Sequence, residues 1–148
     1  MKIYIKKVSH HRCEYKLKGE HQDAVISGLD VKTYLIHDIT HFVVEQNLEY
    51  TDGFWGMLAQ GYSFTQLAGK QNELTPGLRA IEKIVGPVQS VYMGFITIDQ
   101  FDTYTSHLDV HTDIHWLKNC IESVENIYAE WEKLKPGEEF FLVWPLHK

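Results

Sequence analysis

The chain has 148 residues and a mass of 17.3 kDa, which is the size of one ordinary domain. Its residues are 44% hydrophobic and 13% aromatic, a composition that excludes a disordered or collagen-like chain, and two cysteines exclude a disulfide scaffold. The formal charge is −6, and no stretch approaches the ~18–20 apolar residues of a transmembrane helix. Since the first eight residues also lack the continuous apolar run of a secretory signal, we expect a cytoplasmic protein without a membrane segment.

The N-terminal third of the chain predicts strands. Residues 2–8 and 12–18 alternate apolar with charged side chains, and residues 23–29 form a third candidate strand. The first 18 residues carry a net charge of +5. Because the basic side chains alternate with apolar ones, they are typical of the solvent face of a half-buried strand. We therefore expect no nucleic-acid partner.

The rest of the chain is mainly helical in pattern. Apolar periodicity predicts helices over 31–48 and 113–135, with Thr112 as the cap of the second, and a short helix over 54–59. Thr75 and Pro76 mark another helix start, which Gly86-Pro87 interrupts or ends. Residues 65–73 are predicted as a surface loop, and 88–106 fit a helix or a strand. Residues 140–144 predict a strand that is covered on both faces and lies against the first hairpin.

These elements predict a single α+β domain over residues 1–148. Its core would be a small, mainly antiparallel sheet, made of the N-terminal hairpin and the C-terminal strand, packed against three to five helices.

The strongest signal for chemistry is a helical segment with ligand-type residues four positions apart. His37, His41 and Glu45 stand at i, i+4 and i+8. Imidazoles at i and i+4 lie close enough to hold one divalent ion, whereas His37 and Glu45 are ~12 Å apart along a regular helix. We predict His37 and His41 as ligands of Zn²⁺ or Mn²⁺, with Glu45 as an alternative ligand beside His41. Asp38 would orient an imidazole or hold a metal-bound water.

Further ligands would have to come from another segment of the chain. His107, His111 and His115 repeat the four-residue spacing. His111 and His115 lie at the start of a predicted helix, where the helix dipole disfavours a protonated imidazole and so favours the form that binds metal. They are the additional ligands if the two segments meet.

A structural role for the same histidines is the alternative. A chain with nine histidines contains HxxxH pairs by composition alone. Tyr34, Val44 and Leu48 share the face of His37 and His41, so this face could pack against another element with its imidazoles hydrogen-bonded. The protein would then be a non-catalytic interaction or regulatory module.

Two resemblances bear on this segment. The pair His37 and His41 partly resembles the zincin HExxH helix, but Asp38 replaces the general-base Glu and is one methylene shorter, which disfavours a peptidase. Residues 36–45 and 53–61 together resemble an uncharacterised family of small bacterial proteins with an H-D-x-x-H-x-x-V-E helix and a G-F-W-G turn. That resemblance implies a bacterial, cytosolic, single-domain protein and no particular reaction.

The glycines around Phe54 and Trp55 allow two interpretations. Gly53, Gly56 and Gly61 would let a short helix approach its neighbour closely while the two aromatic rings fill the gap. Alternatively, Phe54 and Trp55 form the wall of a pocket beside the histidines. The sequence as a whole predicts a small metal-binding protein, with a metal-dependent hydrolase of unknown substrate as the enzyme class considered.

Overall fold

The computed structural model describes residues 1–68, 75–108, 110 and 112–145, and its four strands form one antiparallel sheet. The strands are β1 (Lys2–Lys7), β2 (Arg12–Lys18), β3 (Asp23–Asp30) and β4 (Glu139–Val143). Their order in the sheet is β3-β2-β1-β4. Because β4 pairs with the outer side of β1, the C-terminal strand closes onto the first hairpin as the sequence predicts.

One face of the sheet is buried and the other is open. Ile3, Ile5, Tyr15 and Leu17 point into the core, in agreement with the predicted alternation. The prediction that the last strand is covered on both faces is wrong, because the ring of Phe141 on the outer face is 52% exposed. The helices pack on the inner face of the sheet, so only that side of β4 is buried.

Lys7 departs from the expected pattern of exposed basic side chains. It is 3% exposed and lies on the buried face of β1. Its ammonium donates a hydrogen bond of 2.9 Å to the backbone oxygen of Leu134 and lies 4.7 Å from the centre of the Trp131 ring. This lysine therefore ties the sheet to the end of the last helix, where the helix dipole favours a cation.

The chain between β3 and β4 is mainly helical. A π-helical turn at Val31–Leu35 leads into the first of them. The α-helices are α1 (Ile36–Asn47), α2 (Phe54–Ala59), α3 (Phe64–Ala68), α4 (Pro76–Tyr92), α5 (Ile98–Thr105) and α6 (Ile114–Lys133). The predicted α+β fold class is confirmed. The described residues contain six α-helices, which is more than the three to five expected.

Three details of the helices differ from the sequence prediction. Helix α4 continues through Pro87 to Tyr92: the proline removes one backbone hydrogen bond, and buried side chains on both sides of it, Val85 and Val88, hold the helix against the core. Residues 65–68 of the predicted loop belong to α3, and residues 69–73 lie outside the described residues. The cap of α6 is Asp113, whose carboxylate accepts from the backbone N–H of Trp116 at 2.8 Å, and not Thr112.

Helix α1 is the central element of the helical layer. It packs against α2, α4 and α6, and the buried side chains of sheet and helices form one cluster around it. All residues from Asp38 to Glu45 are buried, including the charged ones. The polar face of α1 is therefore covered by other elements, and its charged side chains need partners inside the protein.

Candidate metal centre

The candidate site lies where α1 and α4 pack together. It contains His37 and His41 from α1 and Glu82 from α4, and one ligand-type atom from each lies within 4.8 Å of the others. His37 and His41 are one helical turn apart, so their rings are neighbours, with centroids 4.7 Å apart at an interplanar angle of 80°. The carboxylate of Glu82 completes the group from the neighbouring helix.

The separations between the donor atoms suit a single tetrahedral ion. The Nε2 atom of His41 is 2.7 Å from Oε1 of Glu82, and Nε2 of His37 is 3.6 Å from the same oxygen. Two donors on one tetrahedral zinc, each at about 2.0 Å, are about 3.3 Å apart. These two separations lie within about 0.6 Å of that value, one below it and one above it, and the three donor atoms all lie within 4.8 Å of one another.

The second ring nitrogen of each histidine has its own acceptor. Nδ1 of His41 lies 2.9 Å from Oε2 of Glu45, and Nδ1 of His37 lies 2.9 Å from Oε1 of Gln89. Ligand histidines commonly donate from the nitrogen that does not face the metal, which fixes the tautomer and the ring orientation. Both rings therefore direct Nε2 toward the same space.

Glu45 is held in place by the start of α2. Its carboxylate accepts backbone N–H groups of Phe54, Trp55 and Gly56 at 2.7, 3.0 and 3.2 Å. Gly53 at the cap position of α2 has no side chain to satisfy these donors, so the buried carboxylate of α1 caps the helix instead. Glu45 thus joins the end of α1, the start of α2 and the ring of His41.

The glycines of this turn are required by close approach. A Cβ on Gly53 would lie 2.4 Å from the carboxylate carbon of Glu45, and one on Gly56 would lie 2.1 Å from the backbone oxygen of Thr51. The G-F-W-G segment therefore lets the backbone come close enough to bind Glu45.

We expect Gly53→Ala to lower the free energy of unfolding by about 1–3 kcal/mol, because the added methyl group forces the Glu45 carboxylate away from its N–H donors. Gly86→Ala is the matched control, since a Cβ there meets nothing within 4 Å and the residue lies inside α4. It should raise stability by about 0.4–1 kcal/mol. Urea unfolding of both variants measures the difference, and equal effects would contradict the assigned contact.

Phe54 and Trp55 cover the inner side of the site. Both are buried, and the Phe54 ring lies 5.7 Å from the ring of His41 between centroids. The indole N–H of Trp55 donates to the backbone oxygen of Asp38 at 2.8 Å. Both side chains therefore pack behind His41. Their role as the wall of a pocket beside the histidines stays a prediction.

Asp38 faces away from the donor group. Its carboxylate accepts the hydroxyl of Tyr15 at 2.7 Å, and both side chains are buried. Burial raises the pKa of Asp38 to about 6, although the Tyr15 hydrogen bond and the charges of His37 and His41 oppose the rise. Asp38 therefore interacts with the two imidazoles through its charge, while its carboxylate is hydrogen-bonded to Tyr15 of the sheet.

The two carboxylates control the protonation of His41. Burial alone lowers the pKa of this imidazole, but the hydrogen bonds to Glu45 and Glu82 outweigh it and raise the pKa to about 9. Burial likewise acts to raise the pKa of Glu82, and the two histidines overcome it and hold that pKa far below its usual value. The metal-free site therefore stores a proton on His41 between two carboxylates at neutral pH.

This proton gives the metal-free protein a specific pH dependence. The pKa of His41 is about 9 in the folded state and 6.5 without the fold. The contribution of this protonated imidazole to the free energy of unfolding is therefore complete below pH 6.5 and is lost as pH rises through 9. We expect the free energy of unfolding, measured with urea in the presence of a chelator, to fall between these values in wild type. In His41→Gln the fall should be smaller but not absent, because the pKa of His37 is raised as well: burial acts to lower it, and the hydrogen bonds to Glu82 and Gln89 outweigh burial. An unchanged slope would contradict the assignment.

The donor group includes only two of the residues that the sequence predicts as ligands. Glu45 supports His41 from the far side and does not face the shared space. His115 is exposed and lies outside the group, and His111 lies outside the described residues. The third donor, Glu82, was missed by sequence reasoning because it lies 41 residues from His41. Its only local signal is its position beside the apolar stripe of α4.

Comparison with protein-family models, curated proteins and solved structures finds no match to the chain. The relation to a family of small bacterial proteins therefore stays a prediction. None of the helices within the described residues is both long enough and apolar enough to cross a membrane.

Proposed function

We propose that the protein binds one divalent transition metal ion, with Zn²⁺ as the first candidate and Mn²⁺ as the second, through His37, His41 and Glu82. The observation that carries the proposal is the convergence of three donor atoms from two helices within 4.8 Å. Two imidazoles and one carboxylate are the protein ligands of several catalytic zinc sites, in which a water takes the fourth position.

The exposure of the three side chains supports an open fourth position. His41 is 1% exposed, whereas the side chains of His37 and Glu82 are 36% and 33% exposed. One side of the group is therefore sealed by the core and the other meets solvent. A metal ion bound there would lower the pKa of a coordinated water to about 7 and so supply a hydroxide nucleophile at neutral pH. We therefore propose hydrolysis by a metal-activated water as the reaction class.

The surroundings define what the chain itself would contribute. Glu45 and Gln89 hold the imidazoles in the tautomer that directs Nε2 to the ion. Asp38 is engaged with Tyr15 on the sheet side, so it does not take the general-base role of the zincin glutamate. The proposed chemistry accordingly depends on the coordinated water.

A second function is favoured by a specific observation. Both ring nitrogens of His41 already have carboxylate partners, at 2.9 and 2.7 Å, and a protonated imidazole satisfies both. This is the arrangement that a purely structural histidine would have in a non-catalytic interaction or regulatory module. Zinc must displace that proton to bind, whereas the structural role requires the proton to stay.

Replacement of the carboxylate ligand tests the proposed function. We expect calorimetric titration of wild type with Zn²⁺ at pH 7.5 to give one site per chain, and Glu82→Gln to weaken it by more than about 100-fold. Loss of a residue that only hydrogen-bonds to a metal ligand commonly lowers metal affinity 10–100-fold, and loss of a ligand should cost more. Glu122→Gln, an exposed position on α6, is the control and should bind as wild type does. Equal binding by all three proteins would contradict the assignment, and no binding by wild type would favour the structural module.

A further inference from the structure

A cleft of about 670 Å³ lies at the end of α1 that is nearest to His37. It is bounded by the turn between β1 and β2, the π-helical turn before α1, the end of α4, and α6. We call it the hairpin cleft. One of its walls is Gln89, the residue whose Oε1 lies 2.9 Å from Nδ1 of His37. The cleft thus begins one imidazole ring away from the proposed metal position.

The charged residues that line the hairpin cleft are basic on balance, although the whole chain has a formal charge of −6. His10, His11, Arg12 and Lys32 line it, and Asp30 is the carboxylate among its lining residues. Arg12 pairs with Asp30 at 2.9 Å, so these two charges offset each other. Lys32 has no ion-pair or hydrogen-bond partner among the residues that the structure describes, and its charge is therefore the excess one.

Several hydrogen-bond donors are left over around this charge. The Arg12 ion pair and its bond to the His11 carbonyl both use Nη1, which leaves the donors on Nη2 and Nε. If Nε2 of His37 binds metal, Nδ1 carries the proton and Gln89 must accept with Oε1. Its amide NH₂ group is then free to donate into the cleft.

The rest of the lining is mainly apolar. Val31, Ile36, Met93 and Tyr128, the last of them on α6, provide aliphatic and aromatic surface. A mainly apolar cleft with a few convergent donors is the usual form of a small-molecule site. The donors and the excess positive charge favour an anionic group, and the apolar part of the lining favours an apolar substituent on it.

We propose that the hairpin cleft binds a small organic anion, a phosphate or carboxylate carried on an aromatic or aliphatic group. This inference rests on the proposed function in one respect, since it makes that anion the recognised end of the substrate of the metal centre. Gln89 connects the two sites, because it contacts His37 on one side and the ligand on the other.

The test uses phenyl phosphate, benzoate, benzyl alcohol and benzylammonium as probes, titrated calorimetrically into chelator-treated protein at pH 7. We expect saturable binding of one or both anions, and at least about tenfold weaker binding of the alcohol and the amine, the scale of one charge-assisted hydrogen bond. The stronger of the two anions identifies the phosphate or the carboxylate as the preferred group. Lys32→Gln should lose about tenfold in affinity for that anion. Lys118→Gln, exposed on α6 outside the cleft, should bind as wild type does.

Repeating the titration with zinc-loaded protein separates this inference from the proposed function. Anion binding that depends on Lys32 in protein without zinc supports the cleft, even if the chain takes up no zinc and the proposed function fails. Anion binding that needs zinc and ignores Lys32→Gln would place the anion on the metal and overturn the cleft. No saturable binding by metal-free wild type, or equal binding of benzylammonium, would also overturn it.

Discussion

Glu45→Ala is expected to destabilise the protein more than any other single replacement of a charged residue in α1. The Glu45 side chain is fully buried and accepts from three backbone N–H groups as well as His41. Removing it breaks a buried ion pair and leaves Glu82 as the remaining carboxylate partner of the His41 imidazolium, at a cost of up to about 3–5 kcal/mol. Each orphaned N–H adds about 1–3 kcal/mol. The sum is comparable with the whole stability of a small domain, about 5–15 kcal/mol.

Chemical unfolding and circular dichroism measure this effect. Glu45→Gln serves as the second variant if Glu45→Ala does not fold, because the amide keeps the shape and one acceptor oxygen but loses the charge. It should be less stable than wild type and more stable than Glu45→Ala. Glu122→Ala, at an exposed position, should change stability by less than about 0.5 kcal/mol. If Glu45→Ala were as stable as Glu122→Ala, the capping role of Glu45 would be wrong.

The two histidines should differ when each is replaced by alanine. His41→Ala removes a buried ring between two carboxylates, so we expect it to destabilise the metal-free protein by about 3–5 kcal/mol. The side chain of His37 is 36% exposed, and His37→Ala should cost much less. Both variants should lose zinc binding by more than about 100-fold, since each removes a ligand.

This pair of variants separates a metal site from a structural one. With zinc at 100 times the dissociation constant of wild type, wild type should gain about 2.7 kcal/mol in stability, and both variants should gain less than about 0.4 kcal/mol. His115→Ala, which changes an exposed residue outside the donor group, should behave as wild type does in both assays. If the histidines have only a structural role, His41→Ala will still be less stable than His37→Ala, but zinc will not change the stability of wild type or of either variant.

The part of the site that sequence could predict is the part encoded within one helix. Apolar periodicity indicates that this segment is a helix, and on a helix the i, i+4 spacing makes the side chains of His37 and His41 neighbours. Glu82 belongs to another helix, and its approach to His41 depends on how α1 and α4 pack. No local pattern in the sequence reports that packing.

Glu45 shows that spacing within one helix predicts a contact more readily than the role of that contact. Its spacing from His41 suggests a metal ligand, and it does contact the imidazole at 2.9 Å. Its carboxylate caps α2, because Gly53 at the cap position of that helix has no side chain to accept a hydrogen bond. Its role as an alternative metal ligand stays a prediction. A glycine at the cap position, which has no side chain to accept from the first N–H groups of the helix, is the sequence signal that could have suggested a distant cap.

The fold was predictable where alternation was regular and less so where burial depended on neighbours. The hairpin of β1 and β2 alternates clearly, and its register follows. For residues 140–144 the apolar run suggested burial on both faces, but the outer face of β4 is open at Phe141, whose ring packs against Tyr4 at 5.8 Å between centroids. An apolar run by itself does not distinguish a covered face from an open one.

The central claim is that His37, His41 and Glu82 hold one metal ion, and a crystal structure of zinc-soaked protein tests it most directly. We expect an anomalous difference peak at the zinc absorption edge between these three side chains, with bonds of about 2.0–2.2 Å. The Nδ1 contacts to Glu45 and Gln89 should be retained. Full zinc occupancy elsewhere, or no peak while His41 keeps both carboxylate contacts, would contradict the claim.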